Sequence, residues 1–384
     1  MSILYFDHAS GSRPKPEFVI KAAEEHMQTI EGSAFRSSGS NDIIELYREN
    51  LSSFLNLKED QTLVFTKNAT EAINLFFSGF EKNIQHYFID SYSHNAVLRP
   101  VYKLCEKNKS QIHIISRQND FINNLEDIIQ KSFNNQPAIV CVNAASNVTG
   151  EVLSEDDFTR LFEILRKHEN LYLLFDFAQY VGSLQLPDFP DEIRDKIVGA
   201  ASGHKYLLSP ESVGFLFFHK NINITPLIYG GVGFDSAEKQ MPKEYPYKLE
   251  AGTYPSTALC GLNAAVEKGF DFFESLYEKK LNLGIAFYEE IKKNKDFHIF
   301  GCKPEIGSHS LTFSLAHENL DCSELAFILY ENFKIIAREG LHCSPLVFQN
   351  LPEIFQNGTL RISFGWNTSE DDLSRLLAAL REIG

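Results

Sequence analysis

The sequence predicts an α/β protein: a large domain with a mostly parallel sheet flanked by helices, followed by a small α+β C-terminal domain. Three observations carry this expectation. The chain has 384 residues, 43% of them hydrophobic, which suffices for a large core and exceeds the usual size of one compact domain. From about residue 60 to 220, short apolar and β-branched runs alternate with stretches of helical spacing, the order of βαβ units. Beyond about residue 255 that alternation gives way to a mixed pattern. The expected boundaries are 15–255 for the large domain and 256–384 for the small one, with segment 1–14 packed near the latter.

In chain order, strands are expected at 62–65, 86–89, 111–115, 138–142, 171–175, 196–200 and 213–218. Between them, 71–80, 95–107, 124–131 and 155–168 have helical spacing, the last opened by Ser154 as N-cap with Asp157 three residues on. One long helical stretch over 257–293 follows the Gly-rich segment 230–233. After it come strands near 297–300, 310–314, 334–337 and 359–364 and helices at 323–332 and 369–382.

Composition narrows the function. Asp and Glu number 51 against 36 Lys and Arg, a net charge of −15, and no basic cluster offsets it, so a nucleic-acid partner is not expected. The longest apolar runs fall far short of the ~20 residues that span a bilayer, so no membrane association is expected. The start MSILYFDHASGSR has Asp7 where a secretory signal would be apolar, and the expected compartment is cytoplasmic. Six cysteines (105, 141, 260, 302, 322 and 343) are scattered without a CxxC pair, against a zinc knuckle or a disulfide framework. Most are expected to be buried small hydrophobes. Cys343 is the exception, since Gly340-Leu341-His342-Cys343-Ser344-Pro345 is polar and turn-rich.

In open parallel sheets ligands bind beyond the carboxyl ends of the strands. The run 138–142 is followed by Asn143-Ala144-Ala145-Ser146-Asn147-Val148-Thr149-Gly150, the run 171–175 by Asp176 and Gln179, and the strand ending near Ala200 by Ser202-Gly203-His204-Lys205. The run 62–65 leads to Ala69-Thr70-Glu71 at a helix start, where free backbone N–H groups form an anion site. A phosphate cradle, a carboxylate, amides and a lysine at one end of a sheet suit pyridoxal 5'-phosphate, whose aldehyde can form a Schiff base with lysine.

The segments Tyr5-Phe6-Asp7-His8-Ala9, VFTKNATEAINL, SHNAVLRP, NAASNVTGEV, FDFAQ, SGHK, EAGT, GLHCSP and LRISFGWNT together resemble the cysteine desulfurase and selenocysteine lyase family. This is the class V aminotransferase branch of pyridoxal-phosphate fold type I, and the resemblance runs along nearly the whole chain. It implies that Lys205 binds the cofactor and moves the Cα proton, that Asp176 pairs with the pyridine nitrogen, and that Gln179 lies near the phenolic oxygen. It further implies that Asn147 contacts the ring oxygen, that His94 stacks on the ring and relays protons, and that Ala69, Thr70, Ser202 and His204 hold the phosphate. Thr253 would reach the cofactor phosphate of a neighbouring subunit in a homodimer. Arg361 would take the substrate α-carboxylate, with Asn147 and Ala9 beside it.

Arg338-Glu339-Gly340-Leu341-His342-Cys343 resembles the R-x-G-x-H-C segment in which the thiolate takes sulfur from the substrate as a persulfide. The implied activity converts L-cysteine to L-alanine, with a sulfur-acceptor protein as a possible partner. A selenocysteine lyase, a carbon–sulfur lyase, an epimerase, an aminotransferase and a non-catalytic sulfur-carrier docking or regulatory module stay open as alternatives. One departure lies in His8-Ala9-Ser10-Gly11, where family members more often read Asn-Ala-Ala-Thr.

Overall fold

The computed structural model describes residues 2–29, 43–233, 237–349 and 351–384. Strand β1 (Leu4–Tyr5) precedes helices α1 (Glu17–Gln28) and α2 (Ile43–Phe54), neither expected from the sequence. Only Val19 is buried on α1, so its apolar stripe is faint. On α2 the buried positions are Ile44, Tyr47, Arg48 and Leu51, a helical spacing obscured by an arginine in the stripe. Then β2 (Gln61–Thr66), α3 (Ala69–Gly79), β3 (His86–Asp90), α4 (Asn95–Asn108), β4 (Gln111–Ile115), α5 (Phe121–Ser132), β5 (Ala138–Asn143), α6 (Glu155–Lys167) and β6 (Leu171–Asp176) alternate as the pattern predicts, and β7 (Ile197–Ser202) and β8 (Gly214–His219) follow without an α-helix between them.

These strands form one sheet in the order β2-β8-β7-β6-β5-β3-β4, parallel except for β8, which runs against both neighbours. Residues of β5 explain the unbroken apolar runs: Ile139 and Cys141 join the core under α3 and α4, while Val140 and Val142 join the core under α5 and α6. A strand covered on both faces has no polar alternate positions. Helix starts follow local capping chemistry. Ser154 and Asp157 form the expected capping box on α6, and Asp120 caps α5, which therefore begins three residues before the expected 124.

On β7, Gly199 is required by packing: a Cβ there would lie 2.1 Å from the Phe217 ring carbon Cζ. Gly199→Ala is therefore expected to destabilise the chain by about 1–3 kcal/mol through overpacking. Chemical denaturation should show a lower midpoint, and an unchanged one would contradict this packing.

The helix expected over 257–293 is two helices, α7 (Ser256–Val266) and α8 (Phe270–Ile291). Gly269 separates them at φ +76°, a left-handed conformation that ends α7 and that glycine adopts without strain. Beyond α8, β9 (Phe297–Phe300), β10 (Thr312–His317), α9 (Cys322–Phe333), β11 (Ile335–Ile336), β12 (Arg338–Gly340), α10 (Glu353–Gln356), β13 (Thr359–Ser363) and α11 (Glu370–Ile383) complete the chain. The strand expected over 334–337 is thus two short ones serving different partners. β11 pairs with β1, whereas β12 pairs with β13 in the antiparallel sheet β12-β13-β10-β9. Lys334 adopts a left-handed conformation at the end of α9 and cannot begin a strand. Among the described residues no helix is long and apolar enough to cross a membrane.

Cysteine burial differs from expectation. All six are free, but only Cys141 is fully buried and Cys302 is exposed. Cys302 follows β9 in an irregular segment and Cys322 is the first residue of α9, positions that local chain geometry keeps near solvent.

Candidate active site

The carboxyl ends of β5, β6 and β7 stand side by side, with Asn143 paired to Asp176 and Asp176 to Ala200 across the ladder. This register brings polar residues far apart in sequence into a cavity of about 230 Å³. Ala9, Ala69, Thr70, His94, Asn147, Asp176, Gln179, Ser202, His204, Lys205 and Arg361 all line it, as do Ser10, Asn68, Asn143 and Arg338, to which the sequence reading gave no role. Thr253 and Cys343 are not among the lining residues. Thr253 lies in a second hollow with Phe65, Lys67, Glu71 and Tyr254. There the buried Glu250 carboxylate accepts from Arg48, from the Phe65 N–H and from the Tyr254 hydroxyl, which fixes the segment leading to Thr253.

Lys205 and Asp176 form the charged centre. Burial lowers the Lys205 ammonium to about 8, opposed by Asp176 and reinforced by Arg361 and Arg338. Burial raises the Asp176 carboxyl, opposed by Lys205 and by the Ala178 N–H that donates to it at 2.9 Å. Burial also drives His94 down to about 3, with Lys205, Arg338 and Arg361 adding repulsion, so its ring is neutral. Its Nδ1 accepts from the Ala96 N–H at 3.0 Å as the N-cap of α4, which puts the ring proton on Nε2. His204 is lowered to about 4, by burial first and Lys205 second.

The start of α3 is more occupied than its sequence suggests. The Ala69 N–H donates to Ser202 Oγ at 2.9 Å, and the Asn68 side chain accepts from the Glu71 N–H. Thr70 is exposed at the same helix start. Gln179 Nε2 donates to the Ala9 carbonyl at 2.8 Å, leaving its Oε1 buried without a partner, as is His204 Nδ1. Buried polar atoms left unpaired are costly, and here they face a cavity able to accept a polar guest.

Arg361 is fully buried and paired with Asp7 at 2.5 Å. It also donates to Ser10 Oγ at 2.8 Å and to the Asn147 carbonyl at 3.1 Å, while its Nε has no partner. Cys343 stands at the edge of this group. Arg338 donates to its sulfur at 3.2 Å. The loop is clamped: Asn147 Nδ2 donates to the His342 carbonyl at 2.7 Å, Ser344 Oγ donates to Asn147 Oδ1 at 2.9 Å, and the Asn95 N–H donates to the Cys343 carbonyl at 2.7 Å. His342 and Cys343 have φ of +50° and +59°, two consecutive side-chain-bearing residues in the left-handed region. Such conformations persist only where surrounding contacts enforce them. The Asn147 amide, expected at a cofactor oxygen, therefore already holds the cysteine loop, with one N–H and one lone pair left over.

The profile of the family described as Aminotransferase class-V matches residues 4–376. A "Probable cysteine desulfurase" of Haemophilus influenzae is 25% identical over 99% of this chain and 85% of its own length. The cysteine desulfurase CsdA of Escherichia coli is 26% identical over 98% of this chain and 93% of its own. Among solved structures, the apo cysteine desulfurase of Thermococcus onnurineus superposes with a TM-score of 0.83 at 21% identity, over 99% of this chain and 94% of that one.

Proposed function

The chain belongs to the class-V aminotransferase family, and we propose that it is a pyridoxal-phosphate-dependent cysteine desulfurase, which turns L-cysteine into L-alanine and keeps the sulfur on Cys343 as a persulfide. The observation that carries this reading is the Arg338 contact: a guanidinium lining the Lys205 cavity touches the sulfur of Cys343, so a thiol borders a site equipped for amino-acid chemistry.

The residues present fit the family's cofactor. The buried Asp176 carboxylate suits a pyridine nitrogen, the Gln179 amide can serve the phenolic oxygen by turning its Nε2 from the Ala9 carbonyl, the unpaired His204 Nδ1 can serve the phosphate, and the neutral His94 ring can stack. Ser202, Ala69 and Thr70 complete the phosphate end. When bound, the cofactor supplies an electron sink for the pair left on Cα.

Within that site Lys205 Nζ takes the Cα proton, for which a burial-lowered amine is suited. Arg361 receives the α-carboxylate through the donors it does not spend on Asp7, Ser10 and the Asn147 carbonyl, its unpartnered Nε among them, flanked by Asn147 and Ala9. The Cys343 thiolate attacks the substrate sulfur, a new S–S bond forms, and the S–Cβ bond breaks with its electron pair passing to the three-carbon skeleton. That skeleton takes up protons and leaves as alanine. A sulfur-acceptor protein discharges the persulfide. Thr253 acts in a homodimer, on the cofactor phosphate of the second copy.

Incubation of cofactor-loaded protein with L-cysteine and a reductant should yield alanine and sulfide in equal amounts; absence of both would reject the reading. Arg361→Ala should raise KM for L-cysteine by roughly 10- to 100-fold, the weight of charged hydrogen bonds, and an unchanged KM would remove Arg361 from the carboxylate role.

A further inference from the structure

Ser10 lies where the resembling family more often has alanine, and its hydroxyl is fully used. It donates to Asp7 Oδ1 at 2.9 Å and accepts from Arg361 at 2.8 Å and from Arg338 at 2.9 Å. A serine hydroxyl has one donor and two acceptor sites, so no capacity is left. The two guanidiniums it bridges are like charges, and Arg338 opposes the charge on Arg361. Asp7 offsets Arg361 directly. Arg338 has no carboxylate partner among the described residues; its hydrogen bonds go to Ser10 Oγ and to the Cys343 sulfur alone.

We propose that Ser10 is a positioning residue that seats the Arg338 guanidinium against the Cys343 sulfur. Removing the hydroxyl deletes one of the two bonds that hold Arg338 and leaves its repulsion from Arg361 unbridged, so the guanidinium turns away from the thiol. The guanidinium is the group that donates to this sulfur, so its seat decides how the thiol meets an electrophile. Ser10 thereby sets the reactivity of Cys343 from a segment 333 positions earlier, through a hydroxyl that alanine could not supply. The inference rests on the desulfurase reading only for what Cys343 does with its reactivity.

The test uses the full chain loaded with pyridoxal phosphate and follows alkylation of Cys343 by iodoacetamide, read by peptide mass spectrometry without substrate. Ser10→Ala should slow alkylation roughly two- to tenfold, the weight of one hydrogen bond, whereas Ser10→Thr, which keeps the hydroxyl, should react like the parent. In an Arg338→Ala background the Ser10→Ala change should add nothing, because its effect passes through Arg338. Thermal midpoints recorded alongside separate this from a loss of folding. Parent-like alkylation in a folded Ser10→Ala protein, or a slowing of equal size without Arg338, would overturn the proposal. Neither readout requires turnover, so failure of the desulfurase activity is seen independently as absence of alanine.

Discussion

Replacing Lys205 with alanine should lower kcat by about a thousandfold or more, since on the proposed reading it removes both the covalent anchor and the group that moves the Cα proton, and positioned proton transfer alone contributes about 10²- to 10⁴-fold. The visible absorbance of lysine-bound cofactor should vanish in the same protein. The expectation follows from the setting of the amine. Lys205 shares the cavity with Asp176, and burial brings its ammonium to about 8 despite that carboxylate. Near pH 7 about a tenth of such an amine is unprotonated, against well under a thousandth for a free lysine. Capture of added pyridoxal phosphate by cofactor-free protein should therefore speed up as pH rises through 7 and level off above about 8. A capture rate flat over that range, or a Lys205→Ala protein that keeps the band, would contradict the assignment.

Cys343→Ser should leave cofactor absorbance and its response to L-cysteine intact while cutting sulfur release by about a hundredfold or more, because a hydroxyl is a far weaker nucleophile at neutral pH than a thiol. Steric fit is not at issue in this exchange. The loop is held by Asn147, Ser344 and Asn95, and the left-handed backbone at His342 and Cys343 is imposed by those contacts. Unchanged sulfide release from Cys343→Ser would show that sulfur leaves by another route.

Much of the cavity was legible in the sequence because a parallel sheet places its strand ends together. Once 138–142, 171–175 and 196–200 are read as neighbours, Asp176 and Lys205 must converge, and the β5–β6–β7 register does this. Ser10, Asp7 and Arg338 were not legible as a group. Their meeting depends on β12 pairing with its near neighbour β13 and on β1 pairing with β11, a contact between segments more than 300 residues apart. A run of two or three residues carries too little periodicity to announce such a strand. Arg338 had one visible signal, its place in the R-x-G-x-H-C segment, but nothing there tells which side chain it touches. The break at Gly269 was hidden for another reason: one glycine in a helical pattern costs only about 1 kcal/mol, and the conformation that makes it a terminator shows only in three dimensions.

Persulfide formation on Cys343 is the measurement closest to the central claim. Cofactor-loaded protein is mixed with L-cysteine without reductant, quenched, and the peptide carrying Cys343 is weighed. The account predicts a gain of one sulfur on Cys343, matched by one alanine, and neither in Lys205→Ala. Alanine formed with Cys343 unmodified, or sulfur gained on another of the six cysteines instead, would contradict it.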